Sequence, residues 1–183
     1  YVINLLRQNR LQADRLVESI FLYADTERIL YSMSEYGMAE FDTFFSAFMN
    51  YQTYNQEFWR SQIEEGDMTP FTILAADSYR TSRVYGEKSV IPLVWRSSGL
   101  GDRKILVMNL SLSRVVELFT DMPYLESDYI LIYDSAGRLI YGQEDVLEGQ
   151  EILPGKNIRF GGEDCYVTCY DHNGLGLVIY CFV

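Results

Sequence analysis

The sequence predicts an α+β chain: a long amino-terminal helix followed by two antiparallel-sheet units, the first larger and flanked by helices, the second small. Three observations predict it. A hydrophobic stripe with alternating spacings of four and three runs over residues 1–16. The phrase "IFLYADTERILYS" at 20–32 returns, at an offset of 110, inside "YILIYDSAGRLIYG" at 129–142. Short runs rich in β-branched and aromatic residues, punctuated by glycines and charged turns, fill the space between and after the two copies.

The stripe consists of Val2, Leu6, Asn9, Ala13 and Leu16. It suits a helix lying against another helix, with Asn9 setting register in a pair, and equally a helix capping its own domain. Leu16, Ile20, Phe21 and Ala24 would also fit a continuation of that helix, and the repeat decides against it. Ile20, Tyr23, Arg28 and Tyr31 match Ile130, Tyr133, Arg138 and Tyr141, and the second copy contains Asp134-Ser135-Ala136-Gly137, a strong turn sequence. The second copy is therefore a hairpin, and by similarity so is the first. Residues 38–63 carry Phe41, Phe44, Phe45, Phe48, Phe58 and Trp59 at helical spacing, which predicts one long helix or two shorter ones ending at Glu64-Glu65-Gly66. Strands are expected over 71–76, 78–85, 89–96 and 103–112, with Pro92 marking an edge strand or a bulge. Ser113 caps a short helix through Phe119, and Pro123 marks a connection. Beyond it come the second hairpin, a loop rich in glycine and acids, and two last strands, "DCYVTCYD" and "GLGLVIYCFV", joined at Asp171-His172-Asn173-Gly174. The expected division is a helix over 1–16, a larger unit over 17–121 and a smaller one over 122–183.

At 183 residues, 48% hydrophobic and 15% aromatic, the chain can bury a sizeable core. A net charge of −11 disfavours nucleic acid and anionic membrane surfaces. The absence of an initiator Met suggests a fragment of a longer protein, with any membrane anchor expected in its flanks. Cys165, Cys169 and Cys181 are too few for a disulfide framework or a zinc site. The first two would share a strand face roughly 13 Å apart, and either could face Cys181 across a hairpin, though buried free thiols are the simpler expectation. Catalytic signatures are missing: the sole histidine, His172, falls in a turn, and no nucleophile elbow or phosphate loop follows a strand. Asn109-Leu110-Ser111 spells a glycosylation sequon but falls in an expected strand. These features point to binding, not catalysis, with no cofactor or metal.

"VESIFLYADTERILYS" at 17–32, "SVIPLVWRSSGLGDRKILVMNLSLSRVVELF" at 89–119 and "YILIYDSAGRLIYG", in this order, carry a resemblance to double Cache modules. In those PAS-like extracellular sensors the exit of the first module is a strand with a proline and a strand ending in a polar residue. Ile91-Pro92-Leu93 and Asn109-Leu110-Ser111 stand in these places. The resemblance implies a periplasmic or extracellular sensor of a bacterial membrane receptor. It would be flanked by transmembrane helices, paired as a homodimer through the amino-terminal helix, and coupled to an output such as an AraC-type regulator or a histidine kinase. Amino-acid-binding members carry an Arg closely followed by Trp-Tyr, and a later Asp. Here the order is Trp59-Arg60 with no adjacent Tyr, and Asp77 would stand for the Asp, a departure that counts against amino-acid recognition.

A small-molecule pocket needs apolar or aromatic walls and a few converging polar groups. Trp59, Arg60, Asp77, Tyr79, Arg83 and Trp95 form the candidate set, because they come from the helix end and central strands of the larger unit. Arg can clamp a carboxylate, and Asp can accept from an amine or a hydroxyl. The competing reading is a sensor-shaped module that relays signals or dimerises without binding a small molecule.

Overall fold

The computed structural model describes residues 16–25, 27–32, 37–64, 70–81, 86–99, 102–120, 129–143, 147, 151–160, 162–172 and 177–182. The expected helix over 1–16 and its dimer stripe, except Leu16, lie outside them, as do Arg83 and Pro123. The architecture is α+β and mostly antiparallel sheet. The chain divides into two compact units, Tyr1–Arg114 and Val115–Val183.

The first unit is built on an eight-stranded antiparallel sheet in the order β3-β2-β1-β8-β7-β6-β4, with β5 pairing with β7. Its strands are β1 (Val17–Ala24), β2 (Ile29–Ser32), β3 (Met38–Glu40), β4 (Asn50–Tyr51), β5 (Phe71–Ile73), β6 (Asp77–Arg80), β7 (Glu87–Gly99) and β8 (Asp102–Ser111). A short helix α1 (Phe41–Thr43) runs into a π-helical turn (Phe44–Phe48), and α2 spans Gln56–Glu64; α3 (Leu112–Thr120) contains the division between the units, after Arg114. The expected helical stretch over 38–63 is thus broken in two. Met38–Glu40 pairs with β2, and Asn50–Tyr51 pairs with Arg80 and Tyr79 of β6, so sheet hydrogen bonds claim the chain on both sides of α1 and the π-turn.

The region from Val17 to Ser32 is a strand pair, as the repeat implies. β1 ends at Ala24 and β2 begins at Ile29; in the second unit β9 (Tyr129–Asp134) ends and β10 (Leu139–Tyr141) begins at the same offset. The two turns close differently. Asp134 bridges its own turn, its Oδ1 accepting from Ala136 N at 2.9 Å and Arg138 N at 2.8 Å, and Gly137 takes a positive φ of 78°. Ala24 has no such side chain. There Arg28 N donates to the Ala24 carbonyl at 3.0 Å, and Arg28 itself adopts φ 54°.

Pro92 is not on an edge. β7 lies between β8 and the β5 and β6 strands, with Pro92 opposite Asn109. A strand residue's N–H and C=O point to the same side, and Pro92 O accepts from Leu74 N at 2.9 Å. The missing donor therefore faces the seam where the pairing of β7 passes from Asp77 on β6 to Ile73 on β5.

The second unit carries the five-stranded sheet β10-β9-β13-β12-β11, where β11 is Asn157–Phe160, β12 is Glu163–His172 and β13 is Leu177–Phe182. Leu131, Tyr133, Ile158, Phe160, Val167 and Phe182 form its core with Leu147. None of the three cysteines forms a disulfide. Cys181 pairs with Thr168, so alternation places it on the face opposite Cys165 and Cys169.

Candidate functional site

The helix-side face of the first sheet follows from register. Ser19, Phe21 and Tyr23 of β1 pair with Asn109, Val107 and Ile105 of β8; Val94 of β7 pairs with Val107, and Asp77 of β6 with Val90. These positions share one face, and α1, the π-turn and α2 press an aromatic cluster against it. Trp59 is its centre: its ring stacks on Phe45 at 5.7 Å and 11° and meets Phe21, Tyr51 and Phe58. Tyr51 lies 5.3 Å from Tyr79. The helical spacing of the aromatics in the sequence is thus spent on core packing.

Polar groups are set into this core. Asn109 is fully buried, and its Nδ2 donates to Ser19 Oγ at 2.9 Å and to Tyr51 Oη at 2.7 Å, so the sequon asparagine is not offered to solvent. Burial pushes the Tyr51 hydroxyl well above its ordinary pKa, against the opposing effect of the Asn109 hydrogen bond. Trp59 Nε1 and Asn109 Oδ1 are buried with no hydrogen-bond partner among the described residues.

Asp77 is buried and faces its own backbone neighbours. Its carboxylate accepts from Thr53 N at 3.2 and 3.0 Å, from Tyr54 N at 3.0 Å and from Ser78 N at 2.8 Å. This arrangement holds the loop between β4 and α2. The helix then starts on Asn55, whose Oδ1 accepts from Phe58 N at 2.9 Å as an N-cap.

Arg60, next to Trp59, leaves the core for the surface. It lines a cleft of about 590 Å³ together with Tyr23, Asp25, Arg28, Glu40, Phe41 and Asp42, among others. It also lines a second cleft of about 480 Å³ with Asn55, Gln56 and Glu57. Its guanidinium lies 5.3 Å from the Phe41 ring and pairs with Asp42 at 2.7 Å. The first cleft thus has an aromatic floor, Tyr23 and Phe41, continuous with the core through Phe45, and a rim of charges of both signs. On that rim Glu27 accepts from Tyr31 Oη, a hydrogen bond that raises the Tyr31 pKa, with burial and the nearby negative charge adding to it.

The structure therefore brings Trp59, Asp77 and Tyr79 to one face of the sheet and Arg60 to the cleft at its margin. Trp95 pairs with Leu106, which places it on the opposite face of the sheet, and its ring lies 4.8 Å from that of Phe71 at a tilt of 39°. Arg83 lies outside the described residues. Asp42 and Gln56 were not singled out in the sequence; the signal for Gln56 is its four-residue spacing from Arg60, which sets both on one helix face. Among the described residues no group of three or more His, Cys, Asp or Glu side chains is placed to hold a metal ion, and no helix is long and apolar enough to cross a membrane.

No family model matches the sequence, and no curated protein matches it. Solved structures do match. The ligand-binding domain of the Pseudomonas aeruginosa PAO1 amino acid chemoreceptor PctB, in complex with L-Gln, aligns over 100% of this chain and 73% of its own, with a TM-score of 0.61 and 14% identity. An extracellular domain assigned to a histidine kinase, soHK1S-Z6, aligns over 100% and 75%, with a TM-score of 0.57 and 12% identity. The ligand-binding domain of Mlp24 with asparagine aligns over 100% and 73%, with a TM-score of 0.51 and 10% identity.

The chain has the fold of Cache-type sensor domains.

Among the described residues, the cleft beside α2 brings a charged side chain, an aromatic floor and open volume together.

Proposed function

We propose that the chain is the extracellular small-molecule sensing domain of a bacterial membrane-bound signal-transduction receptor, and that the cleft at Arg60 receives the solute. The observation that carries this reading is a cleft of about 590 Å³ in which Arg60 lies over Phe41 amid charges of both signs. Neighbours of the same fold solved with L-Gln and asparagine support a small polar solute. Arg60 contacts it; Trp59 and Tyr79 act from the core that supports α2, and Asp77 from the loop that leads into it. Trp95, on the other face, takes no part, and Arg83 remains a candidate outside the described residues. In this reading 17–121 is the membrane-distal PAS-like module and 122–183 the membrane-proximal one. Residues 1–16 pair two copies as a homodimer, transmembrane helices flank the chain, and the domain is not an enzyme. Signalling requires that the solute bind two arrangements of the domain unequally.

A thermal-shift screen of small polar solutes tests it. A solute at a hundred times its Kd stabilises the folded form by about 2.7 kcal/mol, enough for a clear rise in Tm. Arg60→Ala abolishes the rise and Trp95→Ala leaves it intact. A rise that survives Arg60→Ala refutes the site.

A further inference from the structure

Gln56 and Arg60 stand one turn apart on α2, so their side chains leave the same face of the helix. Both end on a single atom. Gln56 Nε2 donates to Asp42 Oδ1 at 2.6 Å, and Arg60 Nη2 donates to the same oxygen at 2.7 Å. A side-chain amide and a guanidinium converging in this way form a two-donor fork for a carboxylate. The fork opens on both clefts: Arg60 lines each, Asp42 lines the first and Gln56 the second.

Its present occupant is exchangeable. The side chains of Arg60 and Asp42 are 49% and 69% exposed, which places the pair among surface ion pairs of small net strength. Asp42 is also the point at which a longer segment is tied to α2. Its carbonyl accepts from Ser46 Oγ at 2.7 Å, and α1 runs straight into the π-turn, closed by Met49 N donating to Phe44 O at 2.9 Å. Such a π-turn is a rare winding, found frequently at functional sites. It carries Phe44 and Phe45, whose rings pack against Phe21, and Phe45 also stacks on Trp59.

We propose, building on the solute-site reading above, that Asp42 is an internal occupant of the solute's own carboxylate subsite. A carboxylate-bearing solute takes the Gln56–Arg60 fork in its place, and the exchange unlatches α1 and the π-turn from α2. The solute offers the fork the same kind of hydrogen bonds that Asp42 gave up, so competition lowers its apparent affinity. The conformational consequence is a loosening of the tie between α1 and α2 that speeds local opening over the π-turn, while the buried rings of Phe44 and Phe45 keep the segment on the core. A solute without a carboxylate leaves the latch shut.

Acetate, titrated at constant ionic strength against chloride and followed by ¹H–¹⁵N NMR, is the probe. Acetate is expected to shift the Arg60 Nε–H and Gln56 side-chain amide signals of the wild type, and the response disappears in Arg60→Ala. Asp42→Ala, and the isosteric Asp42→Asn as a second variant, bind acetate about 1.5–5-fold more tightly, the factor a surface ion pair accounts for. Amide exchange of Phe44–Met49 is faster in both variants without acetate and in the wild type at saturation. If neither variant binds acetate more tightly, or exchange over Phe44–Met49 does not change, the latch is overturned, while loss of binding in Arg60→Ala leaves the cleft reading standing. Shifts that persist in Arg60→Ala overturn the cleft reading itself, and a wild type that shows no response to acetate overturns the carboxylate subsite and with it the latch, leaving the cleft reading to the solute screen.

Discussion

Replacing Asp77 by alanine separates a structural carboxylate from a ligand-binding one. In the folded chain the Asp77 oxygens accept from the backbone amides of Thr53, Tyr54 and Ser78 at 2.8–3.2 Å, and the loop from Gln52 to Asn55 depends on them. Hydrogen bonds to a charged acceptor contribute about 1.5–3 kcal/mol each, but the loop is partly exposed and its amides regain water once it lifts. A loss of roughly 2–4 kcal/mol is therefore expected for Asp77→Ala, less than the sum over three amides. Asp77→Asn recovers only part of it, because its amide nitrogen faces donors where an oxygen accepted. Urea denaturation measures the loss as a lower midpoint with an unchanged m value, and the same change lowers Tm by about 10 °C. The anchored loop leads into α2, so Asp77→Ala also weakens solute binding at Arg60, but only in proportion to lost order. A variant that stays within about 0.5 kcal/mol of wild type yet loses all solute response refutes this reasoning and makes the Asp77 carboxylate a direct ligand contact.

Two further outcomes concern the second unit. Gly142 holds φ 116°, and a Cβ there would meet the Leu131 side chain and lie 2.9 Å from the Ile130 carbonyl. Gly142→Ala should destabilise this unit by on the order of 3 kcal/mol, through backbone strain and overpacking together, read as a lower urea midpoint. Asp134 is buried, which alone would raise its pKa; the hydrogen bonds from Arg138 N, the Arg138 side chain and Ala136 N, with the guanidinium charge, outweigh this and lower it. A carboxylate whose folded pKa lies below its unfolded value contributes stability above the unfolded value and loses it as the pH falls through the folded one. The unit should therefore weaken from about pH 5 downward, and Asp134→Asn should flatten that decline at a loss of about 1–2 kcal/mol near neutrality. An unchanged pH profile in Asp134→Asn would assign the acid sensitivity elsewhere.

Much of the fold was legible because its signals are local. The hairpin of residues 129–142 follows from two apolar runs about a turn sequence, and its twin at 20–32 follows from matching residues, even though Arg28 takes the positive φ in one turn and Gly137 in the other. Long-range competition decided what local signals left open. The stretch after Gly37 reads as one long helix or two shorter ones, and it forms two because β2 and β6 pair with its Met38–Glu40 and Asn50–Tyr51 segments. Pro92 suggested an edge strand or a bulge, and only the seam between β5 and β6 shows how a central strand tolerates it.

The same division holds for the site. By itself the sequence determined that the larger unit joins an aromatic helix to strands carrying Arg and Asp, and it gathered Trp59, Arg60, Asp77, Tyr79, Arg83 and Trp95 into one candidate set. Only the tertiary structure decided where side chains of that set lead: Trp59 into the core, Arg60 onto Asp42 and the cleft, Asp77 onto loop amides, Trp95 to the far face of the sheet. The reason is physical. Alternation along a strand says which residues share a face, but which face the helices cover depends on pairings between segments far apart in the chain. A carboxylate's partner likewise depends on which donors folding brings within about 3 Å of it.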